Sequence, residues 1–140
     1  MDTIEKYREY VCTSFVAAVE PVIVERATGA TVYDAAGRAY IDCFAGIAVT
    51  NAGHCHPKVV AAAKAQADKL VHAASYVYHV PVVADLAERL AQITPGRLKK
   101  TFFGNSGAEG IETALRMAKA YTGKNEFIAL THSFHGRTVG

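Results

Sequence analysis

Two short stretches carry the side chains best suited to chemistry. The first, Gly104-Asn105-Ser106-Gly107-Ala108-Glu109-Gly110, spaces its glycines as GxxGxxG around a serine. Small residues let a backbone approach a ligand closely, and a helix starting there would point its unpaired N–H groups into the same space. That arrangement suits a phosphate: Gly107 and Ala108 would donate backbone N–H groups, and Ser106 a hydroxyl. Glu109 is favourable at a helix N-terminus, although facing inward it would repel an anion. On local features alone, the same residues also serve simply to start a helix. The spacing is not the GxGxxG of dinucleotide-binding turns.

The second stretch is Thr131-His132-Ser133-Phe134-His135-Gly136-Arg137-Thr138. Phe134 could stack on a flat heteroaromatic ring. Arg137 could hold a carboxylate through two parallel hydrogen bonds, and His135 orders the loop between them. Phosphate, flat ring and carboxylate would then lie between neighbouring loops.

The elements that must position these loops follow from periodicity. Lys99–Phe103 and Glu126–Leu130 are short and β-prone, with Phe102 and Phe103 expected in a core. Between them, Ala108–Tyr121 places Ile111, Ala114, Leu115 and Ala118 on one helical face. Strand, helix and strand within so few residues predict a βαβ unit, with a parallel sheet and ligands at the carboxyl ends of its strands. Upstream, short strands at Val22–Val24, Thr31–Tyr33 and Ala39–Asp42, separated by turns at Gly29 and Gly37, predict a small antiparallel meander. A charged helix over Asp2–Ala18 precedes it, stopped by Pro21. Helices opened by Pro57 and Pro81 follow the small-residue loop Cys43–His56.

Composition narrows the classes. The chain has 140 residues, 51% of them hydrophobic and 20% charged, an ordinary globular balance. Fifteen basic residues face 13 acidic ones without runs of either sign, which argues against a nucleic-acid partner. No apolar run approaches the roughly 18 residues of a membrane span, and the first residues lack the apolar region of a secretory signal. Cys12, Cys43 and Cys55 are odd in number and form no CxxC pair, so free thiols in a reducing cytoplasm are expected. His54, Cys55 and His56, or His132 and His135, do not make a complete zinc-like ligand set, and no metal is expected.

In sequence, Gly104–Glu109 and Ser133–Thr138 resemble signature stretches of the class III pyridoxal-phosphate-dependent aminotransferases. Tyr33-Asp34, Gly37–Asp42, Cys43–Val49 and Gly53-His54-Cys55-His56-Pro57 resemble that family's opening strands and N-terminal loop, in order and across nearly the whole chain. The nearest members are the 4-aminobutyrate and acetylornithine aminotransferases. The resemblance implies an α/β fold, the N-terminal part of a type I pyridoxal-phosphate (PLP) enzyme. It divides into small-domain segments over residues 1–75 and the start of the large cofactor-binding domain over 76–140. It implies PLP as cofactor, an amino acid and a 2-oxo acid as substrates, and a homo-oligomer as the working form. Ser106, Gly107 and Ala108 would hold the cofactor phosphate, with Phe134 on the pyridine ring and His135 alongside. Ile47 and Arg137 would contact the substrate.

By the same resemblance, the lysine that bonds the cofactor lies beyond the matched region. None of the eight lysines stands in a matching motif, and Lys119 reads as a surface residue, so no catalytic residue is assigned here. Gly110 and Ile111 also depart from the family, which usually has Ala and a polar residue there. Three readings therefore stand: part of an aminotransferase inactive alone, a non-catalytic phosphate or cofactor module, and an oligomerising structural fragment.

Overall fold

A computed structural model describes residues 1–13 and 19–139. The chain divides into two compact units, Met1–His72 and Ala73–Gly140.

The first unit opens with helix α1, Thr3–Tyr10. Asp2 caps it by accepting the Glu5 N–H, and the Glu5 carboxylate accepts the Asp2 N–H in return, a reciprocal capping box. The helix ends well short of the expected Ala18, at extended Val11, where two β-branched residues flank Cys12. Residues 14–18 lie outside the described residues.

The expected meander is present as an antiparallel sheet in the order β1-β2-β3, with β1 at Val24–Thr28, β2 at Thr31–Asp34 and β3 at Ala39–Ile41. Its first strand begins later than the Val22-Ile23-Val24 run suggested. The two-residue turn Gly29-Ala30 pairs Thr28 with Thr31 and thereby sets the register, with an irregularity between Val24 and Arg26. Arg26 and Tyr33 are cross-strand partners, and the guanidinium lies 3.6 Å from the ring centroid.

Asp34, at the end of β2, is the one buried residue among those described. Its carboxylate accepts hydrogen bonds from the N–H of Ala36 (3.0 Å) and Arg38 (2.9 Å), from Arg38 Nε (2.7 Å) and from the Tyr40 hydroxyl (3.0 Å). Burial alone would raise its pKa; the bonds from Arg38 and Tyr40 outweigh it and hold the carboxyl below its ordinary value. Burial first, and the bond to Asp34 second, push the Tyr40 hydroxyl up.

Beyond β3 the chain forms α2, Ala45–Ala48, one turn of left-handed helix. Ala45, Gly46, Ile47 and Ala48 have φ of 50°, 60°, 62° and 60°. For each L-residue this handedness costs roughly 1–2 kcal/mol, so the three with side chains impose several kcal/mol of strain. Helix α3, Pro57–Lys69, completes the unit.

The second unit contains α4, Pro81–Ile93, and α5, Gly107–Thr122, which ends in a left-handed Gly123. The expected strands at Lys99–Phe103 and Glu126–Leu130 form no ladder among the described residues. A strand is stable only against a neighbouring strand and a packed face, and these segments do not pair with each other. Phe102, expected in a core, is 68% exposed, and Ile128 and Leu130 lie open to water.

No apolar side chain is fully buried among the described residues. The accessible surface is 12589 Å², against about 7000 Å² for a self-contained globular chain of this mass. The apolar stripes read from the sequence are present on the helices but are only partly covered: Val83, Leu90, Ile111 and Leu115 are partly buried, while Val59, Val82, Leu86 and Ile93 are exposed. No helix among the described residues is long and apolar enough to cross a membrane.

Candidate functional site

The second unit gathers the chemistry at the start of α5. Ser106 is the N-cap, in extended conformation, and its Oγ accepts the Glu109 N–H at 3.2 Å. Its hydroxyl proton stays available to a ligand. The Glu109 carboxylate turns back to accept the Asn105 N–H. It therefore braces the turn. Gly104 makes room for this arrangement: a Cβ there would stand 3.2 Å from both Glu109 Cβ and Oε2.

The N–H groups of Gly107 and Ala108 open the helix, where no carbonyl lies a turn behind them. Both residues line a cavity of about 420 Å³. Phe134, His135, Gly136 and Arg137 form its other wall, and Ile111 its apolar side. A Cβ added at Gly107 would meet nothing within 4 Å, so a side chain there would project into open space beside the helix N-terminus.

The Phe134–Arg137 wall is held by three devices. A turn at Leu130–Ser133 closes through the Ser133 N–H to the Leu130 carbonyl at 3.1 Å. Gly136, at φ 103°, lies so close to Ala108 that an added Cβ would stand 2.6 Å from Ala108 Cβ. Glu112 on α5 accepts the Thr138 hydroxyl and, at 3.1 Å, the Val139 N–H. Phe134 is 73% exposed, its ring free to stack, while His135 is half-buried.

Of the residues singled out from the sequence, Gly107, Ala108, Phe134, His135 and Arg137 share this one cavity. Ser106 caps the helix beside it. Ile47 belongs to the first unit, on the left-handed turn, and is exposed. Lys119 lies with its ammonium 5.6 Å from the Phe127 ring centroid. A larger cavity, about 650 Å³, lies in the first unit between α1 and residues 19–24, and contains none of the singled-out residues.

Sequence reasoning missed Glu112 as a tie for the Arg137 loop, since a contact 26 residues apart leaves no local pattern. The bracing by Glu109 was legible in principle: Ser106-x-x-Glu109 has the spacing of a capping box. In the first unit, the pairing of Asp42 with His54 was also missed. Asp42 Oδ2 lies 2.6 Å from His54 Nε2, and this contact, followed by the Ala45 and Phe44 N–H bonds, lowers the Asp42 pKa.

Fold and cavity together describe an α/β protein in which a helix N-terminus, an aromatic ring and a guanidinium surround one space. The chain belongs to the class III aminotransferases, whose family model, Aminotransferase class-III, matches residues 15–140. It is 48% identical over 137 residues to an acetylornithine aminotransferase of Methanosarcina acetivorans, covering 98% of this chain and 33% of that protein. It is 42% identical over 139 residues to the 5-aminovalerate aminotransferase DavT of Pseudomonas aeruginosa, covering 99% of this chain and 33% of the relative. Among solved structures, the adenosylmethionine-8-amino-7-oxononanoate aminotransferase of Methanocaldococcus jannaschii superposes with a TM-score of 0.83 at 31% identity, over 97% of this chain and 34% of that one. The fold is thus that of the N-terminal part of these transaminases. The chain spans about a third of the length of the relatives it matches.

Proposed function

We propose that this chain supplies the phosphate-binding and ring-stacking part of a PLP-dependent aminotransferase that moves an amino group from an ω-amino acid to 2-oxoglutarate. The donor is of the 4-aminobutyrate or acetylornithine type. The observation that carries the reading is the convergence of Gly107, Ala108, Phe134, His135 and Arg137 on one cavity at a helix N-terminus. The cavity fits the cofactor, since the space at Gly107 is clear and the first helical N–H groups border it.

In this reading, the N–H groups of Gly107 and Ala108 and the Ser106 hydroxyl hold the phosphate oxygens. Phe134 covers one face of the pyridine ring and His135 orders that wall. Arg137 orients the substrate by its carboxylate, and Ile47 meets the substrate's carbon chain. PLP, when bound, supplies the electron sink that stabilises negative charge at the carbon losing its proton. The base for that proton is not assigned to any lysine of this chain, so the chain alone binds and orients but does not turn over.

The uncovered apolar faces and the unpaired segments at 99–103 and 126–130 fit a chain whose first part belongs to a small domain and whose second part begins a larger sheet. The working form is proposed to be a homodimer in the cytoplasm. The test is borohydride trapping of the PLP-treated chain, followed by peptide mass mapping. Scattered or absent lysine adducts are expected. One stoichiometric adduct, lost on adding an amino donor, would show that the chain carries its own nucleophile and overturn its assignment as the non-catalytic part.

A further inference from the structure

Ala108 and Glu112 stand on one face of α5, roughly one turn apart, or about 6 Å along the helix axis. Both meet the same loop. Gly136 presses on Ala108, and Glu112 Oε1 accepts the Thr138 hydroxyl and, at 3.1 Å, the Val139 N–H. The loop therefore runs along the helix from its first turn toward its second.

The two contacts differ in kind. Gly136 on Ala108 is a steric stop, which limits approach but leaves the segment able to pivot about the point of touch. Two donors converging on one carboxylate oxygen have direction, and bonds to a charged acceptor are the stronger sort. Placed a turn further along, they remove the pivot. Glu112 is half-buried while Thr138 and Val139 are exposed, so each bond competes with water and its net contribution is modest.

A pivot would move Phe134, which lies two residues before the stop. The turn that precedes it, Leu130–Ser133, closes on itself and not on α5. The ring is thus placed against Gly107 and Ala108 through the contacts at Gly136 and at Thr138–Val139. The N–H groups of Gly107 and Ala108 are placed by α5 itself. A ligand that is only a phosphate meets the helix end alone. A ligand that carries both a phosphate and a flat ring meets the helix end and the loop together.

We propose that Glu112 is a positioning residue that couples these two halves of the cavity. By holding Thr138 and Val139 it keeps the Phe134 ring in register with the helix N-terminus, and so favours phosphorylated flat rings over bare phosphate. The inference rests on the cofactor reading above. Glu112 does not line the cavity; it acts through the loop, by reducing the ordering that the loop would otherwise undergo on binding.

The test measures binding of pyridoxamine 5′-phosphate and of inorganic phosphate to the chain and to three variants, Glu112→Ala, Glu112→Gln and Thr138→Val. Hydrogen exchange of the Val139 amide is followed alongside. Glu112→Ala is expected to weaken pyridoxamine 5′-phosphate about fivefold, to leave inorganic phosphate within about twofold, and to speed exchange at Val139. Alanine is the better helix former, so the helicity of α5 should hold. Glu112→Gln keeps an Oε1 acceptor and is expected to restore most of both readings. Thr138→Val removes one donor and leaves α5 untouched. It is expected to show a smaller loss of the same kind, and it carries the comparison if Glu112→Ala does not fold. Equal losses for the two ligands, unchanged affinity for both, unchanged exchange, or Glu112→Gln behaving as Glu112→Ala would each overturn the proposal. If the unaltered chain binds pyridoxamine 5′-phosphate no more tightly than inorganic phosphate, the cofactor reading fails and the coupling with it, while exchange at Val139 still decides whether Glu112 holds the loop.

Discussion

Gly136 and Ala108 touch backbone to side chain, so closely that the smallest side chain at position 136 would stand 2.6 Å from Ala108 Cβ and 2.8 Å from its Cα. This contact sets the width of the cavity, because it fixes the Phe134–Arg137 loop against the first turn of α5. Gly136→Ala is therefore expected to do two kinds of damage. It imposes a φ of 103° on a residue with a side chain, at about 1–3 kcal/mol, and it pushes the loop off the helix. Cofactor affinity should fall, and Ala108→Gly should recover part of the loss in the double variant. Additive losses in that cycle would show that the two residues do not act as a pair.

The start of α5 separates stability from binding. Ser106→Ala removes the cap on the Glu109 N–H and is expected to cost about 1 kcal/mol of helix stability. Ser106→Asp keeps a capping oxygen and favours the helix dipole, but places a negative charge where the phosphate is proposed to sit. Helicity measured by circular dichroism should fall in the first variant and hold in the second. Phosphate affinity should fall in both, and further in the second.

Phe134 offers an exposed ring and little structural packing. Phe134→Ala is expected to weaken binding of a pyridine-ring ligand by roughly threefold to tenfold, the scale of one aromatic stacking contact. Inorganic phosphate, which has no ring, should bind the variant as it binds the unaltered chain. A parallel loss for both ligands would place Phe134 in the support of the loop instead.

The hairpin of the first unit should be sensitive to acid and to base for opposite reasons. Asp34 and Asp42 have folded pKa values below the ordinary 3.8. Their contribution is present in full above about that pH and is lost as pH falls through the lowered values. Tyr40 has a folded pKa above 10.0, so its contribution is present below that pH and is lost as pH rises through the raised value. Amide protection in β1 and β2, followed across pH, should show both limbs. Asp34→Asn is expected to blunt the acid limb, and Tyr40→Phe the alkaline one.

Much of this was legible in the residues. The proline-opened helices at Pro57 and Pro81 lie where their apolar spacing put them, and α5 begins within one residue of expectation because Ser106 and Gly107 mark its start. Gly29 and Gly37 located the turns of the meander, although the first strand's limits depended on a register that the two-residue turn imposes. Lys99–Phe103 and Glu126–Leu130 were misjudged as paired strands, because β-propensity records a fit to neighbours and neighbours are what these segments lack here. The left-handed turn was not legible at all: Ala45, Ile47 and Ala48 ordinarily favour right-handed backbone, and the bonds from Asp42 and Asn51 that oppose this preference become visible only in the fold.

The central claim is that Gly107 and Ala108 hold the phosphate of a vitamin B6 cofactor. It is tested most directly by titrating the chain with pyridoxamine 5′-phosphate and, separately, with pyridoxamine, neither of which has an aldehyde to react with surface lysines. Backbone amide shifts would report the site. The expected result is saturable binding of the phosphorylated ligand, with the largest shifts at Gly107 and Ala108, competition by inorganic phosphate, and at least about tenfold weaker binding of pyridoxamine. Equal affinity for the two ligands, or shifts that leave Gly107 and Ala108 unmoved, would contradict it.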